Sequence, residues 1–151
     1  DGSLPAAAHL EDVHEMLGTL EDSEDTRLLR DIVSDPPDLP GQALHGDAHL
    51  WNCIASADGP LWHDFETACR GPREYDLAAL VLNDLVRGPD LPAREALAAY
   101  GEHDPELLEA VVPVYAAWVF TSMLTAVSRR PELGPMLEVR LRWLRGYVGA
   151  G

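Results

Sequence analysis

Two neighbouring stretches decide how this chain is read: LHGDAHLWNC, Leu44–Cys53, and LWHDFE, Leu61–Glu66. They gather His45, Asp47, His49, Asn52, His63, Asp64 and Glu66 into one short span. The segment joining them, NCIASADGPLWHDF, is apolar on both sides of ADGP, Ala57–Pro60, whose residues favour a tight turn; it predicts a β-hairpin over 51–65. A hairpin there returns Asp64 towards Asn52. An amide carbonyl and a carboxylate, both hard oxygen donors suited to magnesium, would then face one point. Asp47, upstream in the loop over 44–53, is placed to accept a proton from a hydroxyl.

Outward from the hairpin the periodicity is helical. LPAAAHLEDVHEMLGTL puts Leu10, Val13, Leu17 and Leu20 on one face, with Pro5 near the start. SEDTRLLRDIV offers Ser23 as an N-cap. SDPPDLPG, Ser34–Gly41, reads as a loop, because each proline removes a donor and biases its predecessor towards extended geometry. From Tyr75 onward helices return: YDLAALVLNDLV, PAREALAAYG ending on glycine, a long apolar helix with a kink expected at Pro113, and PMLEVRLRWLRGYV. The fold class is mainly α with a minor β component: a helical unit over residues 1–151, with a bundle over 74–149 and the hairpin as its only clear sheet.

Composition narrows the function. The 151 residues are enough for one ordinary domain, and 46% hydrophobic residues supply a core. Twenty-six acidic against eleven basic residues give a net charge of -15, which argues against nucleic acid and anionic membranes as partners and favours cationic small molecules. The most apolar stretch, Ala110–Val127, contains Pro113 and hydroxyl residues and reads as a buried helix. Two cysteines, Cys53 and Cys69, suit reduced thiols and a cytoplasmic setting. All eleven basic residues are arginine, so a phosphate-binding or Schiff-base lysine cannot come from this chain.

A loop aspartate, an asparagine five positions on and a second aspartate past a hairpin form the layout of kinase-type phosphoryl transfer. HGDAHLWN, WHDFE and RGPREYDLAAL resemble, in order and spacing, the aminoglycoside phosphotransferase and choline kinase-like family, closely over residues 44–80. The resemblance implies the helical C-terminal lobe of a protein-kinase-like fold and an ATP-dependent small-molecule kinase using magnesium. It assigns Asp47 as the catalytic carboxylate, Asn52 and Asp64 as metal ligands, His45 as a brace of the loop, and Asp76 as its anchor or a helix cap. Glu66 matches the family's glutamate with no role fixed by spacing, and Trp51 stands where the family has a small residue. His49 and His63 are expected in surface or packing roles.

The same resemblance implies a second, strand-rich lobe with a lysine and a glycine-bearing loop for the nucleotide, and neither feature occurs in this sequence. The expectation is therefore an incomplete C-terminal lobe, poorly active by itself. Two other classes compete: a non-catalytic helical binding or dimerising module, and a metal-dependent hydrolase or oxygenase using His45, Asp47 and His49 or His63.

Overall fold

Helices dominate the computed structural model, which describes residues 4–36, 41–88 and 91–149. In chain order they are α1 (Leu10–Thr19), α2 (Glu24–Ser34), α3 (Arg73–Arg87), α4 (Leu91–Tyr100), α5 (Pro105–Val127) and α6 (Gly134–Gly149). Between α2 and α3 lie four short strands: β1 (Gln42–Leu44), β2 (Cys53–Ser56), β3 (Gly59–Trp62) and β4 (Cys69–Gly71). The expected hairpin is present as β2 and β3, antiparallel with Ile54 opposite Leu61 and Ser56 opposite Gly59. Its turn is tighter than ADGP suggests. Ala57 and Asp58 make the reversal, Gly59 takes φ +114° at the strand start, and Pro60 already pairs with Ala55.

The hairpin is not the only sheet, which corrects the sequence expectation. β1 and β4 pair antiparallel across the whole hairpin, with Leu44 opposite Cys69 and Gln42 opposite Gly71. Strands of three residues are too short to show a period-2 pattern, and their pairing is non-local. The chain start is also displaced. The helix expected near Pro5 begins at Leu10, while the Pro5 carbonyl accepts a hydrogen bond of 2.7 Å from the Arg70 N–H and Ala6 bridges to Arg70. Extended backbone thus lies along β4 where a first helical turn was expected. Half of the proline-rich loop Ser34–Gly41, residues 37–40, falls outside the described residues, and Ser34 is still the last residue of α2.

The chain packs as two compact units. The first comprises Asp1–Ala7 and Asp38–Val112 and holds the strands, α3, α4 and the first turns of α5. Tyr75, Ala78, Ala79 and Leu82 recur on one face of α3 at helical spacing and are buried. Asp104 caps α5, accepting from the N–H groups of Glu106 (3.0 Å) and Leu107 (3.1 Å), and its own N–H donates to the buried Glu74 at 3.0 Å. Burial pushes the Glu74 carboxyl up, but the hydrogen bonds and the Arg73 guanidinium outweigh it and hold it below the usual range.

The second unit comprises Ala8–Pro37 and Pro113–Gly151. Val13 and Leu17 of α1, Leu29 and Val33 of α2, Phe120 of α5, and Leu137, Leu141 and Leu144 of α6 are buried there. Ser23 caps α2 as expected: its hydroxyl accepts from the Thr26 N–H (3.1 Å) and its N–H donates to the Thr26 hydroxyl (2.8 Å). Arg30 secures the α1–α2 turn by donating to the Leu17 carbonyl and to Asp22, each at 3.0 Å. By length and composition α5 could cross a membrane, but buried residues are spread along it from Val111 to Thr121, as in a core helix.

Candidate active site

The site lies wholly within the first unit, and the unanticipated sheet is what positions it. β1 ends at Leu44 and delivers His45; β4 leads, through Pro72, into the first turn of α3 and delivers Asp76. The Asp76 carboxylate accepts from the N–H groups of His45 (Oδ2, 3.0 Å) and Gly46 (Oδ1, 2.8 Å). Both buried donors are thereby satisfied, and Asp76 is the anchor of the loop. Burial raises its pKa, opposed by those two hydrogen bonds and by His45.

Gly46 must be glycine for two separate reasons. Its φ is +85°, and a Cβ would lie 1.9 Å from the Thr67 carbonyl oxygen and 3.3 Å from Cys69 Sγ. The loop therefore sits directly on the segment that follows the hairpin. Cys69 beneath it is fully buried, and burial, aided by the Asp76 charge, pushes its thiol up to about 12.

His45 is hydrogen-bonded at both ring nitrogens and at its carbonyl. Its Nε2–H donates to the His63 carbonyl at 2.8 Å, its Nδ1 accepts a longer bond of 3.4 Å from the Asp47 N–H, and its carbonyl accepts from Thr67 Oγ1 at 3.3 Å. The ring packs against Phe65 and Trp62, with centroids 4.5 and 5.5 Å away. Both ring nitrogens thus bond to backbone groups, which removes His45 from a facial triad. Among the described residues no three His, Cys, Asp or Glu side chains are grouped as a metal site.

Asp47 and Asn52 are brought together. The loop closes with His49 N–H to the Asp47 carbonyl and Asn52 N–H to the His49 carbonyl, both 2.9 Å, through a 3-10 turn at Leu50–Asn52. The buried Asn52 side chain then donates from Nδ2 to the Asp47 carbonyl (3.0 Å) and to Asp47 Oδ2 (3.1 Å). With its nitrogen so occupied, the amide presents its carbonyl oxygen as the end able to ligate a cation. Trp51 is accommodated without disturbing this turn, because it points to solvent and is 83% exposed.

The hairpin delivers Asp64 beside Asn52. The Asn52 carbonyl accepts from the His63 N–H at 3.0 Å, extending the β2–β3 pairing to the residue before Asp64. Asp64 is exposed, makes no hydrogen bond to a described residue, and holds the left-handed conformation at φ 66°, ψ 58°. Such a conformation in a non-glycine residue carries strain and gathers at functional sites. An exposed carboxylate one residue beyond the backbone partner of Asn52, and an amide oxygen on Asn52 itself, are hard oxygen donors of the kind that suit magnesium, which takes its other ligands from water and phosphate. Glu66 is exposed in the following 3-10 turn, Phe65–Thr67, and has no hydrogen-bond or ion-pair partner among the described residues.

The site contains one residue whose role sequence reasoning missed. His49 Nε2 lies 3.3 Å from Asp47 Oδ2. That hydrogen bond is the largest influence on the imidazole and raises its pKa; burial opposes it, and the charges of Asp47 and Asp64 add to it. Nothing in the spacing of HGDAH distinguishes this histidine from a surface one, since the contact depends on the turn at Leu50–Asn52. His63, by contrast, is exposed and contributes through its backbone.

A carboxylate oriented by an amide, a second carboxylate one residue beyond that amide's cross-hairpin partner, and a loop clamped from a helix start are laid out in the same chain order as the parts of kinase-type phosphoryl-transfer sites. The model of the phosphotransferase enzyme family matches residues 3–111, and the chain belongs to that family. This agrees with the resemblance to aminoglycoside phosphotransferases and choline kinases carried by HGDAHLWN and WHDFE. No curated protein matches the chain.

Proposed function

We propose that this chain is the helical C-terminal lobe of an ATP-dependent kinase that phosphorylates a hydroxyl of a small molecule. The observation carrying this reading is the Asn52 amide bonded to the Asp47 carboxylate while its backbone pairs with His63, the neighbour of Asp64. Asp47 orients the acceptor hydroxyl and receives its proton as the oxygen forms a bond to the γ-phosphorus; the bond from that phosphorus to the β–γ bridging oxygen breaks and ADP leaves. Asn52 and Asp64 would hold magnesium, which neutralises charge on the phosphates. Asp76 and His45 keep the loop in place.

Because the chain contains no lysine, its nucleotide phosphates would need cationic contacts from residues beyond these 151 or from arginines such as Arg70 and Arg73. The net charge of -15 favours a cationic acceptor such as an aminated sugar, and the free thiols Cys53 and Cys69 suit a cytoplasmic setting. A second reading, a non-catalytic binding or dimerising module, draws on the exposed apolar residues around the hairpin, Trp51, Ile54, Leu61 and Phe65.

Calorimetric titration with magnesium-ATP separates the two. Binding that weakens in Asp64→Asn, with phosphoryl transfer lost in a folded Asp47→Ala variant, is the expected result. Folded protein that binds no nucleotide in any form of the chain would leave only the module.

A further inference from the structure

Resting on the phosphotransferase reading, we propose that His49 is a positioning residue that, together with Asn52, fixes the rotamer of the Asp47 carboxylate. Two groups meet the same oxygen: Asn52 Nδ2 donates to Asp47 Oδ2 at 3.1 Å, and His49 Nε2 lies in ion-pair contact with it at 3.3 Å. A carboxylate gripped through one oxygen from two directions has its plane set, and the direction of its other oxygen is set with it. That direction is where a proton-accepting group must aim.

The surroundings of His49 fit a role confined to this contact. Its Nδ1 is buried without a hydrogen-bond partner among the described residues, an arrangement that costs stability and is uncommon among buried polar atoms. The ring is therefore held by one edge only, the edge facing Asp47. The backbone reinforces the grip: the His49 N–H donates to the Asp47 carbonyl and the His49 carbonyl accepts from the Asn52 N–H, both at 2.9 Å. His49 stands between the two residues whose relative placement the reaction needs.

The test uses the full-length protein with magnesium-ATP and water as acceptor, comparing wild type, Asp47→Ala, His49→Ala and His49→Gln. It is paired with ring-nitrogen NMR of the histidines in wild type and Asp47→Asn. His49→Ala is expected to lower kcat by about 10- to 100-fold with KM for magnesium-ATP within about 2-fold, as for a misaligned group. Its melting temperature should match wild type. His49→Gln, which keeps a donor, should recover part of the loss, and the His49 Nε2 signal should move in Asp47→Asn.

Wild-type kcat in His49→Ala beside an inactive Asp47→Ala overturns the positioning role, as does a His49 signal indifferent to Asp47→Asn. Wild-type hydrolysis no faster than that of Asp47→Ala overturns the phosphotransferase reading itself, and the role of His49 falls with it.

Discussion

Two backbone N–H groups, at His45 and Gly46, end on the carboxylate of Asp76, a residue thirty or more positions away in the chain. Removing that acceptor leaves two buried donors unpaired, each costing about 1–3 kcal/mol. Asp76→Ala is expected to destabilise the protein by about 2–4 kcal/mol, measured by urea unfolding. Cys69 supplies a local readout, because it is fully buried beneath Gly46 with its thiol pushed up to about 12. In the native wild type a thiol reagent at pH 8 should modify the half-buried Cys53 and spare Cys69; in Asp76→Ala, Cys69 should react as the loop lifts. Equal protection of Cys69 in both would show that Asp76 does not hold the loop. Asp76 was legible at this scale because it belongs to a spaced motif. His49 was not, since whether its ring meets Asp47 depends on backbone angles that a sequence does not display.

Among the elements, those with local signals were readable and those built by long-range pairing were not. Ser23 announces α2 by side-chain chemistry alone, and the structure gives it a reciprocal cap with Thr26. Ser23→Ala should cost about 1 kcal/mol, read as a fall in melting temperature of about 2–4 °C. Ser23→Asn should recover most of it, and equal losses in the two variants would argue against a capping role. The β2–β3 hairpin was legible for the same local reason. The β1–β4 pair carries no comparable signal: three residues meet three across the intervening hairpin, and Gly71 is required because a Cβ there would come within 2.6 Å of Ala7 Cβ. Pro5 points to a helix start on propensity, but hydrogen bonding with Arg70 draws that backbone onto β4. Tertiary pairing overrides the local preference.

At the scale of the molecule, the excess of fifteen negative charges should oppose the compact state through self-repulsion, an effect that salt screens. The melting temperature should therefore rise with sodium chloride between low ionic strength and about 0.5 M, where the Debye length has fallen to a few ångströms. Magnesium chloride at matched ionic strength should do little more than sodium. The proposed site offers only two protein oxygens, from Asn52 and Asp64, and magnesium on such a site takes further ligands from phosphate. Adding ATP with magnesium should then give an increment that sodium with ATP does not. Ligand at 100 times its dissociation constant stabilises by about 2.7 kcal/mol, well above the resolution of a melt. The increment should shrink in Asp64→Asn while the sodium response is unchanged, because one removed charge barely alters the total. A magnesium-ATP increment that survives Asp64→Asn undiminished would place the nucleotide's metal elsewhere and remove Asp64 from the site.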